Sequence, residues 1–577
     1  LSFDLSLNEA IKGLSIIGFA AFDFRNIEKR EIGKPYDIYF LNSDSEYDNL
    51  KDETGKISLF QQFDEELSKT YHARLNYSRT FGKNSISTFV AYEQNQVEGE
   101  YIGASRRELV SEDLPFLFTG SESNLNNDGQ GWQSARVNYF GRFNYQYDEK
   151  YLLEFTLRRD GSQNFPKNGR FGTFPGVSVG WRISEERFLD LDWVDELKIR
   201  GSFGILGNDR VEDINGQPAS FQYLNLYNIN EGHVLGEGAA LSTGLTPSSV
   251  ANPNITWETA QKTNLGFDLS MRNGLLDLVF DAFYEERSDI LARRNASVPL
   301  YTGIELPNEN IGKTINKGLE VSLLHRRKLG KDFNYRFGGQ FTFTKNEIVF
   351  IDESPFVPSY QKLEGSPIDY LLVYQADGLY QNQEEIDGSP HFPDAKPGDV
   401  KFVDINKDGQ ITNDDRILLD EGPTPKVVFG FQLGATWKGF ELNAFLQGQA
   451  GASTIYRPWD INQDSWYFEN RWISESETPN AKSPAAWDMS SSTIQNVSTI
   501  WVKSNDFLRI KNVELAYNFP DDWINKIKIS NLRFFVSGFN LGFIYDSVKL
   551  YDPESRSDTG WYYPQQRVIT TGLSATF

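Results

Sequence analysis

No cysteine occurs in the 577 residues, and that absence removes disulfide frameworks, thiolate-bound zinc and thiol catalysis together. Histidine is nearly as scarce. His72, His233, His325 and His391 lie far apart in the sequence and read as ordinary surface or interface residues rather than ligands. Neither a zinc-binding H-E-x-x-H string nor a phosphate loop is present. Two carboxylates suffice for glycoside hydrolysis, but no motif here sets a pair apart for that work, so the chain does not read as an enzyme. No apolar run reaches the roughly 18 residues that a membrane-spanning helix needs. Cationic residues are outnumbered, Lys+Arg 57 against Asp+Glu 80 for a net charge of -23, so phosphates would be repelled over most of the surface and no nucleic acid is expected as a partner. There is no signal peptide. The sequence opens at Leu1 in LSFDLSLNEA, already alternating and without a start methionine, and reads as part of a longer chain.

What is present is alternation with period two. In VVFGFQLGATWKGFELNAFLQGQ, Val427, Phe429, Phe431, Leu433, Ala435 and Trp437 point one way, while Gly430, Gln432, Gly434 and Thr436 point the other. The chain turns at Lys438 and Gly439 and returns with Phe440, Leu442, Ala444 and Leu446 on one face. Glu441, Asn443, Gln447 and Gln449 largely fill the opposite face. TNLGFDLSMRNGLLDLVFDAFYEE repeats the layout, with Asn273-Gly274 as the hairpin signal between Leu265, Phe267, Leu269, Met271 and Leu276, Leu278, Phe280, Ala282. These strands exceed the five or six residues common in globular sheets and match the roughly 9–11 that cross a bilayer at a tilt.

Connections give a second signal. Short turns (EAIKG, GKN, YDEK, RNG, KLGKD, KG) alternate with long connections at 100–131, 207–256, 348–426 and 451–506. A transmembrane β-barrel of an outer membrane has this asymmetry, tight on the periplasmic side and long outside. Pairing the turns gives roughly 17 strands, more than a sandwich holds. The fold class is therefore all-β, a large antiparallel transmembrane barrel. Its last strand, QQRVITTGLSATF, puts Ile569, Thr571, Leu573, Ala575 and Phe577 on one face and stops on an aromatic. If that strand runs down to the periplasm, 348–426 lies outside the cell.

Within that loop, DINKDGQITNDD (404–415) has the spacing of a calcium loop. Asp404, Asn406 and Asp408 offer oxygens at alternate positions, Gly409 takes the turn, Gln410 offers a carbonyl and Asp415 closes the twelfth position, one methylene shorter than the usual glutamate. The preceding PGDVKFV reads as extended, so the loop is not half of a sensor helix pair. The alternative is an acidic turn that uses Asp, Asn and Gly for their geometry. The calcium reading makes 397–420 a structurally stapled region, in which ionic cross-links replace an apolar core that an exposed loop cannot build. Another loop, YRPWDINQDSWYFENRW, gathers Tyr456, Trp459, Trp466, Tyr467 and Trp472 as candidate contacts for substrate or a lid protein, or for one another. Asp268, Ser270, Asp277, Asp281, Gln432, Asn443 and Gln447 fall on the inward, polar faces.

RRDGSQNFPKNGRFGTFPGVSVGWRISEERFL, LKIRGSFGILGND, ITWETAQKTNLGFDLSMRNGLLDLVFDAFYEERSDIL, NIGKTINKGLEVSL, PGDVKFVDINKDGQI, FLRIKNVELAYNFP and YDPESRSDTGWYYPQQRVITTGLSATF occur in this order. Together they resemble the landmarks of SusC/RagA-type TonB-dependent outer-membrane transporters. The resemblance implies a barrel of about 22 strands in a Gram-negative outer membrane, an N-terminal plug, and a TonB box energised through TonB–ExbB–ExbD. It also implies a SusD-type surface lipoprotein as a lid and import of an oligosaccharide or peptide. Plug, TonB box and about five strands of that pattern are missing from these residues; alone they could not seal a pore, because an open edge in lipid leaves backbone groups unpaired. A structural subunit of a larger outer-membrane assembly, with little or no transport of its own, is the alternative reading.

Overall fold

The computed structural model describes the chain apart from residues 37–38, 42–46, 50–55, 124, 213–218, 236–239, 295–305, 458–464, 487–494, 525–528, 556–562 and 564. A chain that alternates apolar and polar residues over such lengths can bury its backbone polar groups only by pairing strand with strand. Seventeen strands do so in one sheet. They are β1 (Ser2–Ser6), β2 (Leu14–Gly33), β3 (Ser58–Phe81), β4 (Asn84–Arg107), β5 (Leu125–Tyr147), β6 (Tyr151–Ser162), β7 (Phe171–Arg182), β8 (Val194–Asn208), β9 (Glu258–Met271), β10 (Leu276–Ala292), β11 (Glu309–Leu329), β12 (Phe333–Phe350), β13 (Val427–Trp437), β14 (Phe440–Ala450), β15 (Phe507–Asn518), β16 (Asn531–Asp546) and β17 (Val568–Thr576). Each pairs antiparallel with its neighbour in sequence, from β1 through to β17. Among the described residues β1 and β17 each have one partner.

Register carries the alternation from strand to strand. Leu265 lies opposite Ala282, Ala282 opposite Leu319, Leu319 opposite Phe343 and Phe343 opposite Val427, one apolar row across five strands. Near the short turns, Phe333, Trp437, Phe440, Tyr517 and Phe534 are successive cross-strand partners. Tyr147, Tyr151 and Trp181 form a similar row in β5, β6 and β7. Aromatic girdles of this kind mark the interface of a barrel with its membrane. At the other boundary, the outer face of β3 reads Tyr71, Ala73, Leu75, Tyr77, Arg79 and Phe81 below, but Lys69, Leu67 and Glu65, with charges at alternate outward positions, above. The apolar part of β3 matches the about 9–11 residues of a tilted crossing, and the rest of this strand of 24 residues projects beyond the bilayer.

Loops segregate by rim. Residues 82–83, 148–150, 272–275, 330–332 and 438–439 join strands on one side, while 34–57, 108–124, 209–257, 351–426, 451–506 and 547–567 emerge on the other. Lys438 (φ 45°) and Gly439 (φ 88°) both adopt the left-handed region, the geometry that a two-residue hairpin with native twist requires. The long connection expected at 100–131 is shorter, because β4 continues to Arg107 and β5 starts at Leu125. Above the bilayer neither face has to be apolar, so YIGASRR and LNNDGQG stay in the ladder without the pattern that reveals a strand.

Candidate functional site

The described parts of three long connections, 351–426, 451–506 and 547–567, pack into one body at the rim. Within it, Leu371–Tyr374 pairs with Arg416–Leu419, Ala376–Leu379 with Val400–Phe402, and Ser453–Ile455 with Val502–Ser504. Tyr374, Val400, Phe402 and Ile411 form one apolar core, with Phe392 packed against it. Tyr456, Tyr467, Trp501, Val548 and Tyr551 form a second, and Ile500 packs against both. Polar links join the loops as well. Tyr374 N–H donates to Val497 O at 2.9 Å, Trp472 Nε1 to Gln381 Oε1 at 3.1 Å, and Ala485 N–H to Gly398 O at 2.9 Å. Gly398 sits at φ 92°, and a Cβ there would meet Trp472 Cε3 at 2.4 Å. The expectation that ionic cross-links stand in for an absent core is therefore corrected: 351–426 builds its own, and Ile411, inside the acidic loop, is part of it. Small sheets bring the distant apolar residues together, which period reading over short segments does not anticipate.

The 404–415 loop is wrapped around its own carboxylates. Asp404 accepts backbone N–H bonds from Lys407 at 2.7 Å, Asp408 at 3.3 Å and Gly409 at 2.9 Å. Asn406 Oδ1 accepts from Asp408 N–H at 2.9 Å, while its amide donates to Asp408 Oδ2 at 3.0 Å. Gln410 N–H donates to Asp408 Oδ1 at 2.9 Å. Gly409 has φ 85° and Lys407 φ 61°, which gives the sharp turn. Asp415 is fully buried. Its Oδ1 accepts from Ile405 and Asn406 N–H, and its Oδ2 accepts from Thr412 N–H at 2.7 Å within a capping box. The donor set is all oxygen, which suits a hard cation. The closing carboxylate, however, already has both oxygens engaged, and among the described residues no group of three or more His, Cys, Asp or Glu side chains is arranged to hold a metal. The oxygens of Asp404, Asn406 and Asp408 are engaged in the same way; what sets Asp415 apart is its full burial, whereas Asn406, Asp408 and Gln410 are exposed. Tyr360, which donates to Asp414 O at 2.6 Å, has its phenol pKa raised by burial and then by the negative field of Asp415, Asp414, Asp408 and Asp404.

Of the candidate contact aromatics, Tyr456 and Tyr467 are buried and stack on each other at 5.9 Å. Neither ring offers a free face in this conformation. Trp466 packs edge-on against Tyr467 at 4.9 Å and is half-buried, as is Trp472. Trp459 lies outside the described residues.

The inward polar faces make a paired lining. Arg200 bridges Asp268 at 3.1 Å and Asp281 at 2.5 Å, Ser270 Oγ donates to Asp277 at 2.6 Å, and Arg336 donates to Asn443 at 2.8 Å. Gln432 follows the same parity, opposite Gly338 and Phe445, and Gln447 donates to Glu554 at 3.1 Å. No motif in the sequence marks the arginines. Their signal is parity: each falls on the same strand face as the partners it meets, Asp268 and Asp281 for Arg200 and Asn443 for Arg336. Gly176 to Gly180 spell G-x-S-x-G, the string of a hydrolase elbow. Ser178, however, lies in mid-strand opposite Glu154 and Ser202, where no strand-to-helix turn exposes it as a nucleophile.

Residues 18–541 match the family described as TonB dependent receptor-like, beta-barrel. TonB-dependent receptor P3 of Formosa agariphila is 28% identical over 544 residues, covering 89% of this chain and 52% of the relative. TonB-dependent receptor SusC of Bacteroides thetaiotaomicron is 27% identical over 512 residues, covering 82% and 49%. The chain spans about half the length of these curated relatives. The solved structure of the RagAB peptide transporter superposes with a TM-score of 0.78 at 22% identity, covering 98% of this chain and 60% of that one, a likeness of fold. With the apolar outer face, the aromatic girdles and the segregated loops, these matches assign the chain to the TonB-dependent receptor family, as an outer-membrane β-barrel of the SusC type.

Proposed function

We propose that this chain forms the barrel of an importer that carries a nutrient, an oligosaccharide or a peptide, across the outer membrane. A plug gates the lumen, a SusD-type surface lipoprotein caps the mouth, and TonB–ExbB–ExbD supplies the energy. The observation that supports this most is the two-faced wall. Its outer residues suit lipid, and its inner residues, from Arg200 with Asp268 and Asp281 to Gln432 and Asn443, suit water and a polar occupant. The RagAB neighbour is a peptide transporter, which favours peptides as the first cargo to try. Cells carrying the full-length protein, given labelled peptide and oligosaccharide pools, take up one class when TonB is present and lose that uptake when it is deleted. Equal uptake of both pools with and without TonB contradicts the proposal.

At the mouth, Trp466 and Trp472 are the rings proposed to touch cargo or lid, with Tyr456 and Tyr467 packed behind them. Calcium belongs to the same proposal. The ion sits on Asp404, Asn406, Asp408 and the Gln410 carbonyl, while Asp415 holds the loop shut through backbone N–H groups. A chelator then increases proteolysis within 397–420, and added calcium restores protection; cleavage that ignores both treatments removes the ion from the account.

A further inference from the structure

The connection after β16 does not stay in solvent. Residues 547–555 turn back against the inward face of the wall, where Arg509 of β15 is fully buried. Arg509 Nη2 lies 2.5 Å from Asp552 Oδ1, and its Nη1 lies 2.8 Å from Glu554 Oε2. Lys511 Nζ reaches the same Glu554 oxygen at 3.4 Å, and Gln447 of β14 donates to the other at 3.1 Å. Arg509 Nη1 also donates to Asn540 Oδ1 at 2.9 Å and Gln565 Oε1 at 3.1 Å, and the guanidinium lies 4.4 Å from the Phe543 ring centroid. A charge buried this deeply persists only when it is paired and hydrogen-bonded.

The wall is shaped for the contact. Pairing of β14 with β15 shifts between Phe445 and Leu446, which leaves Lys511 as an extra residue. Pairing of β15 with β16 shifts between Ile510 and Asn512, with Asn540 in the left-handed region at φ 55°. Bulges re-aim side chains in this way, and these two gather Arg509, Lys511 and Asn540 at one spot. One residue before the acids, Tyr551 engages the opposite partner. Its ring stacks on Tyr456 at 4.5 Å, its hydroxyl donates to Asn505 Oδ1 at 3.2 Å, and it shares a core with Tyr467 and Trp501 of the 451–506 loop.

We propose that residues 551–554 are a strap that couples the 451–506 loop to the lumen wall. Tyr551 is its anchor in the loop's aromatic core; Asp552 and Glu554 are its anchors on Arg509 and Lys511. Pro553 between the acids fixes φ and needs no hydrogen-bond partner for a backbone N–H. Arg509 is thus a positioning residue for Trp466 and its neighbours at the mouth, at a distance from them, and acts through the strap.

Amide hydrogen exchange on the full-length protein in detergent or native membrane tests this. The paired substitution Asp552→Asn with Glu554→Gln keeps the shape of the strap and leaves the wall untouched. Exchange in the described parts of 451–506 should rise at least about tenfold while the ladder amides of β13 and β14 keep their protection. Arg509→Lys, which retains the charge, should perturb the loop less than Arg509→Gln. Unchanged exchange in 451–506, or loosening of β13 and β14 in step with the loop, would overturn the strap. So would equal effects of the two Arg509 variants.

Discussion

Lys503 brings an ammonium group into the body of packed loops. Its Nζ donates to Ile500 O at 3.0 Å and lies 5.9 Å from the Trp466 ring, and burial lowers its pKa below the usual 10.5. Because the unfolded chain holds that proton more tightly, the penalty is full at low pH and fades as pH rises through the folded value towards 10.5. Loop protection in 451–506 should therefore increase between neutral pH and pH 10.5, and Lys503→Met should raise neutral-pH protection and flatten that rise. Two glycines allow a sharper comparison. At Gly409 (φ 85°) no atom lies near an added Cβ, so Gly409→Ala carries backbone strain alone, about 1–2 kcal/mol. At Gly398 (φ 92°) the same change also drives a Cβ into Trp472 and Ala485. Limited proteolysis should find the second variant cleaved faster in both 397–426 and 451–485, and the first cleaved faster only near 404–415.

Single elements separate lipid from lumen. Leu265 lies mid-wall in an apolar row that faces outward, so Leu265→Arg should cost about 2–4 kcal/mol. Gln432→Ser, on the inward face of β13, should stay within about 0.5 kcal/mol. Urea unfolding of the barrel in lipid vesicles, read by tryptophan fluorescence, checks both. The same contrast explains what the sequence disclosed. β13 and β14 could be read residue by residue, since Lys438-Gly439 fixes the register and each outward residue is apolar. The upper halves of β3, β4 and β5 could not, because both faces of the sheet meet water there and polar residues such as Glu65, Glu98 and Gln133 occupy even the outward face, which erases the period. Spacing alone identified 404–415 as a loop, but the engagement of Asp415 by Ile405, Asn406 and Thr412 N–H groups depends on a fold that the spacing does not contain. Arg509 carries no signal in the sequence for a related reason: its partners Asp552 and Glu554 are distant along the chain and reach it only because 547–555 folds inward.

At the scale of the whole molecule, one constraint organises the rest. A sheet of 17 strands with oil on one side and water on the other must keep every backbone group paired and every side chain on the correct side. The loops are then free to collect on one rim and build cores of their own. That two-sidedness can be tested directly because the chain has no cysteine. Cysteine introduced singly at Asn264, Leu265, Gln432, Leu433, Val513 and Glu514 of the full-length protein can be labelled in intact outer membranes and probed with a lipid-borne quencher. The account predicts that positions 264, 432 and 514 react with a water-soluble maleimide once the lumen is accessible and escape quenching, while 265, 433 and 513 are quenched from the lipid. Quenching that ignores this parity, or reaches neither set, would contradict it.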